Sequence, residues 1–193
     1  MGTRLLILGV LVFLSRATMG SSAAVQQRSA TPAPLTEHAN LKTLPASVLE
    51  ADLKDSDGRS FTLSNYSGKV LVVNLWATWC IPCRLQLLSL AKLQKQFQSQ
   101  GMEIVGLSTE NPDASVEDVR EVTRNYGVYY RIGWATPEVA LTLMQGRDAV
   151  PQTFVVSRSG RIVRRFVGFN RTATPSQLKL AIKEALNEKV GPS

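Results

Sequence analysis

The sequence predicts an α/β domain over residues 46–190, a central mixed β-sheet flanked by helices. Three observations carry that reading. VLVVNLW at 70–76 is a near-continuous apolar run of the kind found in a strand covered on both faces. A helical stretch and a second such run, EIVGL at 103–107, follow it, which makes a strand–helix–strand unit. Near the C-terminus two strand-like segments flank Ser159-Gly160 and precede a final helix, so a hairpin joins the same sheet.

The elements follow in order. Asp52 to Leu63 alternates around Asp57-Gly58, a hairpin turn signal, and puts Leu53, Phe61 and Leu63 on one buried side. Gly68-Lys69 leads into the 70–76 strand, whose one polar interruption is Asn74. Beyond the cysteines, Leu87, Leu90, Ala91, Leu93 and Phe97 recur at helical spacing, with Gly101 as C-terminal cap. Val116, Val119 and Val122 mark a helix over Ser115–Asn125, ended by Gly127, and Val128–Ile132 reads as a short strand. Pro137 suits the first turn of a short helix reaching Met144. Pro151 precedes the strand TFVV at 153–156, and Ser159-Gly160 turns it into Arg161–Val167. Thr174-Pro175 opens the last helix, with Leu178, Ile182, Ala185 and Leu186 as its apolar stripe.

Ahead of the domain, residues 1–24 read as a signal peptide or an N-terminal membrane anchor. Arg4 supplies a basic start, Leu5 to Leu14 an apolar core, and Gly20 to Ala24 a cluster of small residues where a peptidase can cut. The apolar run is about half of the roughly 20 residues a membrane-spanning helix needs, which favours the cleaved leader. Residues 25–45, with Gln26, Gln27, Pro32, Pro34 and Pro45, have the composition of a flexible linker. The expected location is therefore outside the cytoplasm: periplasmic, or anchored to the inner membrane facing the periplasm. The net charge is +7, and Arg161, Arg164, Arg165 and Arg171 lie close together. There is no long lysine run and no recognisable nucleic-acid module, so nucleic-acid binding is not expected.

Both cysteines of the 193-residue chain sit in WATWCIPC, residues 76–83. A disulfide closing so short a loop stabilises by only roughly 2 kcal/mol in the chain-entropy model, against about 4.7 for a 100-residue loop. Chemistry is the better reason for them. Cys80 falls where a strand ends and a helix begins, and free N–H groups and the helix dipole there stabilise a thiolate. Cys83 lies one turn on, and Pro82 stiffens the turn between them. Cys80 is expected to be the exposed attacking thiol, and Cys83 the buried resolving thiol that closes a mixed disulfide. A structural zinc site needs four ligands, but the chain offers two cysteines and one histidine, His38 in the linker. Haem attachment needs C-x-x-C-H, and Arg84 fills the histidine position. No metal and no organic cofactor is expected. A structural disulfide remains the weaker alternative.

WATWCIPCR after a buried strand, and VPQTFVV followed by SRSGRIVRRFVG, resemble the thioredoxin fold, and within it the TlpA/ResA-like branch of exported thiol-disulfide oxidoreductases. The match covers about 46–190. It implies an N-terminal β-hairpin extension and a central insertion, for which residues 109–135 are available. It implies a redox disulfide Cys80–Cys83, with Cys80 as nucleophile and Cys83 as resolving thiol. Trp79, Ile81, Pro82, Val150 and a cis Pro151 would contact substrate. Such proteins reduce selected protein disulfides, those of apocytochromes before haem attachment among them. They are recharged by a membrane electron donor of the DsbD/CcdA type. Asn74 and Gln86 would tune the pair; Gln86 and Leu88 depart from the family pattern, whereas Asn74 is usual in this branch. Gln86 replaces a glutamate thought to manage the second cysteine's proton, and Asn74 stands where cytoplasmic thioredoxins have a buried aspartate. Leu88 replaces a helix-kinking proline. Glu110, at a strand end, is a candidate proton acceptor in place of the glutamate.

Two other functions compete. Peroxide reduction of the peroxiredoxin type wants a threonine three residues before its cysteine, and residue 77 is Ala. A redox-inactive peptide-binding or chaperone module would use the groove at Val150 and Pro151 and has no need of the cysteine pair.

Overall fold

The computed structural model describes residues 41–188. The expected leader or anchor, His38 and the linker up to residue 40 lie outside the described residues.

Helix α1 (Ala46–Leu49) is one turn that buries Val48. Strands β1 (Leu53–Lys54) and β2 (Ser60–Phe61) pair as a small antiparallel hairpin. Its turn is set by Asp55, whose Oδ1 accepts from the N–H groups of Asp57 (3.0 Å) and Arg59 (2.9 Å). Instead of running on as a strand, Leu63–Tyr66 coils into a tight helical turn. The Thr62 hydroxyl and the Asn65 side chain cap it reciprocally.

The main sheet follows: β3 (Val70–Trp76), α2 (Ile81–Phe97), β4 (Met102–Ser108), α3 (Pro112–Asn125), β5 (Arg131–Trp134), α4 (Pro137–Met144), β6 (Gln152–Val156), β7 (Ile162–Val167) and α5 (Thr174–Asn187). The strand order is β5-β4-β3-β6-β7. Strands β3, β4 and β5 are parallel, while β6 and β7 run antiparallel to their neighbours. The two parallel crossovers step the same way along the sheet, so the right-handed rule keeps α2 and α3 on one face. There Val70, Val72 and Trp76 pack with Leu87, Leu90, Val119, Leu178 and Ile182, which places α5 on that face too. Leu71, Val73 and Leu75 point the other way, against Val48, Phe61, Leu63, Val139 and Leu143. Every residue of β3 is buried, because alternate side chains serve two cores.

Several boundaries differ from expectation. Residues 41–45, assigned to the linker, join the domain: Leu44 is buried, Thr43 bridges to Arg161, and the Lys42 carbonyl accepts from Ile162 N (2.7 Å). Helix α3 begins at Pro112, not Ser115, because the Asn111 side chain caps it by accepting from Asp113 N (2.9 Å). The short strand expected over 128–132 lies at Arg131–Trp134. The room assigned to an insertion, 109–135, is used by α3 and β5, which add an edge strand to the sheet.

The outer edge of β5 is covered by the hairpin. Asp55 bridges to Gly133, and Ser56 N donates to the Ile132 carbonyl (2.9 Å). A side chain at Gly133 would collide with the Lys54 backbone carbonyl and press on Phe61. Gly133→Ala is therefore expected to cost about 1–3 kcal/mol, the ordinary range for overpacking, read from urea unfolding midpoints.

Candidate functional site

Strand β3 delivers Ala77-Thr78-Trp79 to the start of α2, and Cys80 is the residue that caps that helix. Its φ/ψ of −85°/103° are extended, and its Sγ accepts from Cys83 N at 3.2 Å, as a capping side chain does. Pro82 sits in the first turn, where a missing N–H costs nothing. Cys80 and Cys83 are joined as a disulfide, with Cα atoms 5.2 Å apart. The first-turn amide of Cys83 points at the Cys80 sulfur at the positive end of the helix dipole, the environment that favours a thiolate when the bond is opened.

The order of exposure is as expected but its degree is not. Cys83 is fully buried, and Cys80, expected to be exposed, retains only 5% of its surface. In the bonded pair each sulfur covers the other, and Cys80 Sγ also lies 3.6 Å from the Val150 carbonyl oxygen. The exposed groups are the flanking ones, Trp79 (67%) and Ile81 (68%). The Val150–Pro151 peptide is cis. The Pro151 carbonyl accepts from Gly168 N (2.8 Å), which fixes the bend against the end of β7.

The loop ahead of Cys80 is tied from below by Glu110. Its carboxylate accepts from Thr78 N (2.7 Å), Thr78 Oγ1 (2.6 Å) and Ser108 Oγ (3.0 Å). Arg84 Nε donates to the Thr78 carbonyl from the other side. Glu110 thus serves the loop backbone, and both its oxygens are engaged there. A groove of about 630 Å³ opens beside this loop, lined by Trp79, Arg84, Asp118, Glu121 and Tyr126 among others.

Behind the pair lies a buried polar cluster. Gln86 and Asn74 are both inaccessible to solvent. Asn74 Nδ2 donates to Gln86 Oε1 (3.1 Å), Thr153 Oγ1 (3.1 Å) and the Gln152 carbonyl (3.4 Å). Gln86 Nε2 donates to Thr153 Oγ1 (3.0 Å). Gln86 follows Cys83 by three positions on α2, so the two share a face of the helix. Sequence reasoning found Asn74 and Gln86 but missed Thr78, Thr153 and Gln152. Their signal is weak: each is polar, adjacent to a motif residue, and defined only by a partner brought in from another strand.

Among the described residues no group of three or more His, Cys, Asp or Glu side chains is placed to hold a metal ion.

A five-stranded mixed sheet whose central strand ends at a Cys-x-x-Cys helix cap, opposite a cis-proline, defines a thioredoxin-fold redox domain. The chain belongs to the Redoxin family, whose model matches residues 32–182. It is 34% identical over 121 residues to the thiol-disulfide oxidoreductase ResA of Bacillus subtilis, which covers 60% of this chain and 63% of that protein. It is 36% identical over 120 residues to the thiol:disulfide interchange protein HelX of Rhodobacter capsulatus, 62% of this chain and 60% of that one. The chain thus matches less than two thirds of the length of these two relatives. Among solved structures, a thiol:disulfide interchange protein of the thioredoxin family from Chlorobium tepidum TLS superposes with a TM-score of 0.60 at 27% identity. That match covers 77% of this chain and all of the other.

Glu110→Ala leaves the Thr78 amide and hydroxyl without their charged acceptor. A stability loss of about 2 kcal/mol is expected at neutral pH, since hydrogen bonds to charged groups are worth roughly 1.5–3 kcal/mol each and water replaces part of them. Chemical denaturation of the two proteins measures it.

Proposed function

We propose that this chain is an exported thiol-disulfide oxidoreductase that reduces protein disulfides through Cys80 and Cys83. One observation carries the reading: Cys80 Sγ is held between the first-turn amide of Cys83 at 3.2 Å and the backbone of the cis Val150–Pro151 segment at 3.6 Å. The first arrangement stabilises a leaving or attacking thiolate. The second offers an edge of backbone against which an extended substrate segment can lie.

The cycle balances as thiol exchange. In the dithiol form the Cys80 thiolate attacks one sulfur of a substrate disulfide, forming a mixed disulfide and expelling one substrate thiolate. Cys83 then gives up its proton and attacks Cys80 Sγ, expelling the second substrate thiolate. The substrate gains two electrons, and the enzyme is left with the Cys80–Cys83 bond, the form described above. An external dithiol must return two electrons. An exported protein would receive them from a membrane donor of the DsbD/CcdA type. Cysteine pairs of apocytochromes before haem attachment are the substrate class in keeping with the ResA and HelX likeness. Export is supported by the basic, apolar and small-residue order of residues 1–24. Trp79, Ile81 and Pro82 form the exposed rim around the sulfur and contact the substrate.

Cys80→Ser is expected to abolish reduction of insulin disulfides. Cys83→Ser is expected to accumulate a substrate mixed disulfide on Cys80, visible as a mass shift on non-reducing electrophoresis. Wild-type insulin reduction by Cys80→Ser contradicts the mechanism.

Gln86 cannot titrate, so resolution by Cys83 has no carboxylate beside it on α2. Gln86→Glu places a carboxyl in a solvent-free site, where desolvation raises its pKa above the ordinary value of about 4.3. As pH rises through that raised value the carboxylate forms and can take the Cys83 proton. The variant's rate of mixed-disulfide resolution is expected to show an added rising inflection there, absent from the wild type, in stopped-flow measurements across pH.

A further inference from the structure

Strand β6 begins with a fully buried glutamine directly after the cis bond. The Gln152 side chain folds back beneath the segment leading to that bond. Its Nε2 donates to the carbonyls of Arg147 (2.7 Å) and Ala149 (2.8 Å). Its Oε1 accepts from Arg165 Nη2 (2.6 Å). That guanidinium also donates to the Met144 carbonyl at the end of α4 (2.8 Å) and to Gln145 Oε1 (2.7 Å), and its carbon lies 5.2 Å from the Phe154 ring centroid. A cation over the last carbonyls of a helix is favourable there. Burial, and then the nearby Arg147, push the Arg165 pKa down from its usual value, yet an arginine has ample margin to stay charged. The Gln152 carbonyl accepts from Asn74 Nδ2 on β3 (3.4 Å). The end of α4, the connecting loop and the central strand therefore meet at one residue.

A buried glutamine is most simply a satisfied core residue. Here, however, both of its donors go to the loop whose next residue, Val150, faces Cys80 Sγ at 3.6 Å. We propose that Gln152, held by Arg165, is a positioning residue for substrate: it sets the Ala149–Pro151 backbone at the height of Cys80, where an incoming polypeptide segment must dock. This rests on the thiol-disulfide reading above.

Two variants test it. Gln152→Glu keeps an acceptor for Arg165 but, when ionised, has no N–H for the loop carbonyls. Gln152→Ala removes both. Each is assayed with insulin, which needs backbone docking, and with a small aromatic disulfide, which does not. The Cys80–Cys83 potential is measured in parallel. The loss of two hydrogen bonds is expected to raise KM for insulin about tenfold in both variants, with kcat, the small-disulfide rate and the potential unchanged. If Gln152→Ala does not fold, Gln152→Glu alone decides. A KM within about twofold of wild type overturns the proposal, as does a joint fall of all three readouts, which would mark a general loosening of the fold. A wild type that reduces neither disulfide defeats the thiol-disulfide reading and this proposal with it. An active wild type with unaffected variants defeats this proposal alone.

Discussion

The burial of β3 on both faces is the constraint on which the rest depends. Seven consecutive residues with no solvent-facing side need a core on each side, and the helices, the hairpin and α4 are distributed to supply them. The strand then ends at a fixed place. Past Trp76 the chain must leave the sheet, and it does so into α2, with Cys80 as the capping residue. A rigid strand and a helix start thus hold one sulfur in register with the cis turn at the head of the antiparallel neighbour β6. The site is precise because it lies on regular elements and not on a free loop.

The polar groups around the pair follow from the same packing. A strand that is apolar except for one position must satisfy that position internally, since an unmet buried polar group costs about 1–3 kcal/mol. Asn74 meets this on its Nδ2 side alone, reaching Gln86 on α2 and Thr153 on β6 while its Oδ1 stays without a partner, so the central strand, the redox helix and the proline strand share one hydrogen-bonded cluster. Glu110, at the end of β4, does the same for the loop before Cys80. Neither cluster touches solvent broadly. Each holds backbone near the pair, Asn74 at the Gln152 carbonyl and Glu110 at the Thr78 amide, and so steadies the ground on which the two sulfurs exchange.

Much of this was legible in the sequence. The run at 70–76, the turn at Asp57-Gly58, the spacing of Cys80 and Cys83 and the Pro-led strand at 153–156 are local signals whose physics does not depend on distant partners. What stayed hidden depends on pairing across the chain. Strand β5, expected at 128–132, has four residues, too few to fix its bounds, and its place at 131–134 is set by pairing with β4. Leu44 looks like a linker residue until β7 lies beside its neighbour Thr43. The depth of Cys80 is set by a carbonyl far along the sequence, on Val150. Gln152 and Arg165 acquire a role only when β6 and β7 are laid side by side.

The central claim is that the Cys80–Cys83 bond is a working redox couple and not a staple. Its reduction potential tests this most directly, by equilibrating the protein in glutathione and dithiothreitol buffers and following Trp79 fluorescence and thiol alkylation. A value between that of thioredoxin, about −270 mV, and that of a strong oxidant such as DsbA, about −120 mV, is expected for a couple that exchanges with protein thiols. A value below about −300 mV, the range of structural disulfides, would contradict it.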